Sequence, residues 1–297
     1  MRSRSIDAPS AAEASQTGTC TRRRFISVGA GIVISTSSVP SLVEELASLL
    51  NTDSDHVNPQ RGEILPPEIH RPEKEPQDQW QTPQPLFLTF DDGPLLCTGQ
   101  ILEHLARKKH KATFFVIGRN LLNPKLRELA ITALKEGHDI GNHSYDHPNF
   151  ANISARRAEK EIVTTHDLIQ GVVREAGVNP RRQDLFFRFP YGMAGSSHNQ
   201  GHCQDVLAEL NYRIAWWNLD TNDWRMELAW FPRSSSRVIR SLNRARPGDV
   251  VLLHDRMKTA EHLPRMLEVI ESQKLVSFPL STYEPLDESS VLARGSF

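Results

Sequence analysis

Two adjacent carboxylates, Asp91 and Asp92, close the apolar, β-prone run "LFLTFDDGP" from Leu86 to Pro94. Side chains alternate across a strand, so neighbouring acids should point in different directions, and Gly93-Pro94 stops the strand just beyond them. Such a pair can do two different jobs. The plainer alternative is an acidic turn, since Asp-Gly is a common turn dipeptide. In "GNHSYDHPNF", His143 and His147 lie four residues apart, a spacing that puts both imidazoles on one side of a single helical turn. Two histidines so spaced, with one carboxylate, make a three-ligand set that leaves coordination positions open, as catalytic zinc requires. A solvated loop with two incidental histidines is the alternative, and Pro148 disfavours a regular helix at His147.

Three further clusters carry unusual polar residues. Arg188 and Tyr191 emerge from "LFFRFPYG", where the arginine is either a rim cation or is held to orient a carboxylate. "NLDTNDW" brings Asp220, Asp223 and Trp224 together; the tryptophan either fills core, the simpler role, or forms a sugar-facing wall. "DVVLLHD" ends an apolar run in His254 and Asp255, and a lone histidine there is ordinarily structural.

These clusters need elements to hold them. Strand-like runs "PLFLTF", "ATFFVIG", "HDIGNH", "LFFRFPYG", "RIAWWNL", "DVVLLHD" and "LVSFPLS" alternate with helical patterns such as "QILEHLARKK", "KLRELAITALKEG" and "AEHLPRMLEVIESQ". Alternation of this kind predicts an α/β fold with a parallel sheet; about seven units suffice for a barrel, although an open doubly wound sheet reads similarly. Every polar cluster falls at the C-terminal end of an expected strand, the edge on which parallel α/β folds build their active sites.

Taken in order, the five clusters resemble the NodB-homology polysaccharide deacetylases, carbohydrate esterase family 4. The match runs over roughly Pro85 to Thr282 and includes "ATFFVIGRN" and "KEGHDIGNHSYDHP". The resemblance implies a distorted (β/α)7-type barrel forming a single catalytic domain. It implies that Asp91 is the general base and that Asp92, His143 and His147 bind a divalent metal, zinc with cobalt or nickel as alternatives. It further implies that Arg188 orients Asp91, that the Tyr191 backbone N–H helps hold an oxyanion, that Asp223 supports His254, and that His254 is the general acid. Tyr191 and Trp224 are then the substrate-contacting candidates. The third motif departs from the pattern at Phe189, where a second proline is frequent, and "MAGSSHNQGHC" after it is unusual, which puts local substrate contacts in doubt. The expected activity is removal of N-acetyl groups from N-acetylhexosamine units of peptidoglycan or a chitin-like glycan. An O-acetyl esterase acting on xylan, or an inactive glycan-binding relic, are the competing functions.

Lys+Arg 35 against Asp+Glu 36 leaves the 297-residue chain near neutral, so nothing global suggests a nucleic-acid partner. The apolar fraction of 38% is enough for a substantial core. Residues 1–46 combine arginines with the apolar "FISVGAGIVIS", and "TRRRFIS" resembles a twin-arginine export signal, which implies the twin-arginine machinery as a partner. The expected location is periplasmic, cell-envelope or extracellular, with tethering by an uncleaved signal left open. A linker rich in proline and charge over 47–84, a catalytic domain over 85–285 and a tail over 286–297 complete the expected organisation. Three cysteines without a Cys-x-x-Cys pair exclude a disulfide framework and make zinc–thiolate chemistry the wrong class. Cys97 and Cys203 both follow active-edge motifs; two free thiols are the favoured state and a disulfide between them the alternative.

Overall fold

Residues 82–179, 185–228, 234–283 and 292–294 are described by the computed structural model of the chain. The export segment 1–46 and nearly all of the linker lie outside them. Strands β1 (Gln84–Gly93), β2 (Ala112–Val116), β3 (Asp139–Asn142), β4 (Leu185–Phe187), β5 (Tyr212–Ala215), β6 (Leu219–Asp220), β7 (Val250–His254), β8 (Leu275–Ser277) and β9 (Leu292–Arg294) form one sheet. Helices α1 (Thr98–Arg107), α2 (Pro124–Lys135), α3 (Ala155–Ala176), α4 (Gln200–Glu209), α5 (Ser234–Leu242) and α6 (Met257–Ser272) connect them.

The sheet runs β6-β7-β1-β2-β3-β4-β5-β9, with β8 pairing the first residues of β1. Apart from β9, which runs antiparallel to β5, the pairings are parallel. Among the described residues no pairing joins β6 to β5 or β9, so the sheet is a half-barrel of the expected α/β type. Two details differ from the sequence expectation. "RIAWWNL" is not one strand but two, because Arg188 takes the carbonyls of Ala215 and Trp216 that would continue a ladder. Leu292–Arg294, inside the expected tail, is a strand of the sheet.

Side-chain alternation divides the core in two. Leu86, Leu88 and Phe90 of β1 join Ile101 and Leu105 of α1 and Leu263 and Leu267 of α6 in a layer between sheet and helices. Phe87 faces the other way, into a second cluster with Phe115, Phe186, Phe187, Ile214 and Val250. A strand buried on both faces reads as a continuous apolar run, which is why "PLFLTF" shows no polar alternation. Thr89 and Asp91 follow Phe87 at steps of two, so the polar end of β1 continues the face of this second cluster.

Gly141 shows how tightly the layers meet. A Cβ on it would lie 2.6 Å from the Phe115 ring and 3.1 Å from the Phe186 carbonyl oxygen. The Phe115 ring in turn lies 4.1 Å from the Arg188 guanidinium. Gly141→Ala is expected to destabilise the fold by about 1–3 kcal/mol, the usual cost of overpacking, read as a lower midpoint in urea unfolding followed by circular dichroism.

Candidate active site

The last residues of β1 begin the site. The ladder to β2 slips between Phe90 and Gly93, and Asp92 takes a left-handed backbone with φ 71°. Strict alternation, the basis for expecting the two acids on different sides, therefore fails here. A left-handed residue rotates the chain out of the pleat, and both carboxylates converge on His143: its Nε2 lies 3.6 Å from Asp91 Oδ2 and 3.7 Å from Asp92 Oδ1.

Arg188 fixes Asp91. Its side chain is fully buried, and it donates from Nη1 to Asp91 Oδ1 at 2.8 Å and to Thr89 Oγ1 at 2.7 Å. Nε and Nη2 donate to the carbonyls of Ala215 and Trp216 at 3.0 and 3.1 Å. Burial pushes the guanidinium below its usual pKa and the Asp91 charge pulls it back; an arginine with four acceptors stays protonated. It is no rim cation. One Asp91 oxygen is taken by Arg188, and the other faces His143.

The two histidines meet without a helix. Ser144 (φ 67°) and His147 (φ 60°) are both left-handed, so the segment is a looped excursion rather than the single helical turn their spacing suggested. His143 Nδ1 lies 2.9 Å from the Arg188 carbonyl oxygen, to which it donates, and this leaves Nε2 as the free lone pair. His147 Nε2 is 3.2 Å from Asp92 Oδ1. Burial and the neighbouring His143 lower the His147 pKa to about 4, so the ring is neutral and able to ligate at neutral pH. Burial disfavours charge on Asp92, but His143, His254, His147 and Arg256 together hold its carboxyl below the usual value.

A divalent metal fits this arrangement. One ligand atom from each of Asp92, His143 and His147 lies within 4.8 Å of the others, and the buried Asp92 Oδ1 has no hydrogen-bond partner. An orphaned carboxylate oxygen between two imidazoles is costly unless a cation takes it. Its other oxygen accepts from Arg256 Nη2 at 2.6 Å. Nothing in the sequence marks Arg256 as part of the site; adjacency to "LLHD" is the one available signal.

His254 stands beside Asp91 in the ladder between β7 and β1. Its Nδ1 donates to Asp223 Oδ1 at 2.8 Å, and its backbone N–H to Asp223 Oδ2 at 2.8 Å. Thr259 Oγ1 also donates to Asp223 Oδ2, at 2.6 Å. Burial alone would lower the His254 pKa, but the Asp223 bond and charge, with Asp91 and Asp92, raise it to about 9. The next residue, Asp255, is fully buried, bonded by Cys97 Sγ at 3.1 Å and Thr98 Oγ1 at 2.5 Å, and sends its own backbone N–H to the Asp91 carbonyl. Cys97 and Cys203 are free, buried thiols, so no bridge joins them.

Two candidates lie at the surface. Tyr191 has φ 58°, is 65% exposed, and packs its ring 4.6 Å from that of His147. Trp224, 39% exposed with the Arg225 guanidinium 5.2 Å from its ring, does not fill core. Asp220 accepts from the Asn222 amide at 2.7 Å, and burial raises its pKa.

Residues 79–215 match the family model described as polysaccharide deacetylase. The peptidoglycan-N-acetylmuramic acid deacetylase PdaC of Bacillus subtilis strain 168 is 32% identical over 205 residues, 68% of this chain and 38% of that protein. A chitooligosaccharide deacetylase of Rhizobium leguminosarum bv. trifolii is 34% identical over 174 residues, 57% of this chain and 71% of that protein. This chain therefore spans well under half of the first relative and most of the second. The family 4 carbohydrate esterase from Streptomyces lividans, solved with acetate, superposes with a TM-score of 0.54 at 26% identity over 65% of this chain and 91% of that one. On the shared fold and these matches, the chain belongs to the polysaccharide deacetylase family, carbohydrate esterase family 4.

Proposed function

We propose that the protein is an exported, metal-dependent hydrolase that removes N-acetyl groups from N-acetylhexosamine units of a polysaccharide, either peptidoglycan or a chitin-like glycan. One observation carries the proposal: an open three-ligand set lies directly beside an arginine-held carboxylate and an aspartate-held histidine.

A divalent cation held by Asp92, His143 and His147, zinc in this proposal, would supply charge to polarise the acetyl carbonyl and acidify water. The chain's own groups then divide the work. Asp91, with one oxygen held by Arg188, takes a proton from the attacking water through the other. The Tyr191 backbone N–H donates to the oxygen of the reacting carbonyl. An amine leaves poorly unless protonated, and His254, kept protonated by Asp223, delivers the proton as the carbon–nitrogen bond breaks. Acetate and a free amine are the products. Trp224, with its ring partly exposed, forms a wall for a sugar face. Acetate release from N-acetylglucosamine oligomers, peptidoglycan and acetyl-xylan, assayed side by side, tests the substrate class; release from acetyl-xylan alone would favour the esterase.

Export rests on the sequence of residues 1–46, with the twin-arginine route read from "TRRRF". Among the described residues no helix is long and apolar enough to cross a membrane.

Three outcomes are expected. Asp91→Asn keeps an oxygen for Arg188 and should bind zinc at wild-type stoichiometry while acetate release falls about 10²–10⁴-fold. Asp92→Asn should instead lose the metal and regain part of its activity at high zinc concentration. The reverse pattern in the two variants would exchange their roles.

The second outcome concerns pH. His254 must carry a proton to act, and its pKa is raised, so turnover on an amide should fall as pH rises through about 9; a cation beside Asp92 moves this limb lower. His254→Ala should remove the limb and cost more rate on an amide than on an activated ester, whose leaving group needs no proton. Equal losses on both substrates would refute the acid role.

The third concerns location. Replacing Arg22, Arg23 and Arg24 together with lysine should retain the protein in the cytoplasm, as read by immunoblot of cell fractions; unchanged export would refute the twin-arginine route.

A further inference from the structure

Between the two histidines lie Ser144, Tyr145 and Asp146, and every backbone N–H of this segment ends on a side chain. Ser144 donates to Asn142 Oδ1 at 2.9 Å, and His147 donates to Ser144 Oγ at 3.1 Å. The middle two amides, of Tyr145 and Asp146, donate at 2.8 and 2.7 Å to a single atom, Oε2 of Glu161. Glu161 lies on α3, is 1% exposed, and accepts from Arg157 through its other oxygen at 2.5 Å. On the opposite side, the carbonyls of Ser144 and Tyr145 accept from the amides of Gly118 and Arg119 at 2.9 and 3.1 Å.

This segment needs holding. Ser144 and His147 both occupy the left-handed region, which non-glycine residues adopt only where surrounding bonds over-determine them. Hydrogen bonds to an ionised acceptor are roughly twice as strong as neutral ones, and a buried carboxylate taking two consecutive amides fixes the chain between them. Arg157 Nη2 lies 2.5 Å from the second Glu161 oxygen and also donates to Asp146 Oδ2 of the loop at 2.8 Å, so the clamp carries a third tie.

We infer that Glu161 is a positioning residue for the metal site: its buried carboxylate sets the separation and orientation of His143 and His147 by clamping the loop that joins them. The inference rests on Asp92, His143 and His147 holding a metal. Replacing the carboxylate by an amide cannot preserve the clamp. If the Gln oxygen accepts both loop amides, its NH₂ confronts the Arg157 guanidinium, donor against donor.

The test is zinc affinity of the full chain, measured by competition with a chromophoric chelator. Glu161→Gln should raise the zinc dissociation constant about 10–100-fold, the range found when groups orienting a ligand are removed. Glu161→Asp, whose carboxylate is one methylene shorter, should fall between Glu161→Gln and wild type. Ile169→Ala, a cavity variant two turns further along α3 and far from the loop in sequence, should lower the melting temperature without moving the zinc constant. Equal zinc affinity in wild type and Glu161→Gln would overturn the inference. So would an equal loss in Ile169→Ala, because general loosening would then suffice. If Glu161→Gln does not fold, a wild-type zinc constant in Glu161→Asp would overturn it equally. Wild-type protein that binds no zinc would overturn the metal site itself, and this inference with it.

Discussion

A full positive charge is buried in this protein, and the structure is arranged around it. Arg188 has no exposed surface, and its donors reach β1 through Thr89 and Asp91 and the end of β5 through Ala215 and Trp216. Breaking such a pair by removing one partner costs on the order of 3–5 kcal/mol, because the remaining charge is stranded in a medium that solvates it poorly. The consequence is geometric. Asp91 cannot rotate away, the strand after β5 must open at Trp216, and the Arg188 carbonyl is left to fix the ring of His143. One buried guanidinium thus aligns the proposed base, a proposed metal ligand and the break between β5 and β6.

Local backbone conformation does the rest. Asp92, Ser144, His147 and Tyr191 all have positive φ, a conformation that is uncommon for residues with a Cβ. Their clustering at one edge of the sheet is what strain at a functional site looks like: each leaves the regular geometry where a side chain has to be re-aimed. The bulge at Asp92 brings two consecutive acids to one point, which a flat strand cannot do. Around these residues the carboxylates of Asp223 and Asp255 are fully buried and each accepts from several donors, so neither is free to turn toward the site.

What could be read from the chain alone was whatever has a period or a fixed spacing. The apolar run of β1, the alternation of strand and helix, and the placing of "DD", "HSYDH", "RFPY", "DTNDW" and "LLHD" at strand ends follow from side-chain alternation and from the connectivity of parallel sheets. These were enough for the α/β class and for five polar clusters on one sheet edge; the barrel and the residue roles came with the family resemblance, and Arg256 with neither. Phe115 and Gly141 fall in two consecutive expected strands, "ATFFVIG" and "HDIGNH", but their pairing and close approach belong to the folded sheet.

Tertiary structure alone decided how those residues meet. Sequence spacing suggested a helical turn for His143 and His147 and opposite faces for Asp91 and Asp92, and both suggestions fail because the backbone is left-handed at Asp92, Ser144 and His147. Arg256 is 164 residues from Asp92, and Glu161 is 16 and 15 residues from the two loop amides it accepts from, with no periodicity to link them. The burial of Arg188 is equally invisible in "FFRFP", since a charged residue after an apolar strand suits the rim as well as the interior. Periodicity is a property of local chain geometry and is written in the order of residues; hydrogen bonds between distant segments depend on how the sheet folds back on itself, and only the folded chain contains them.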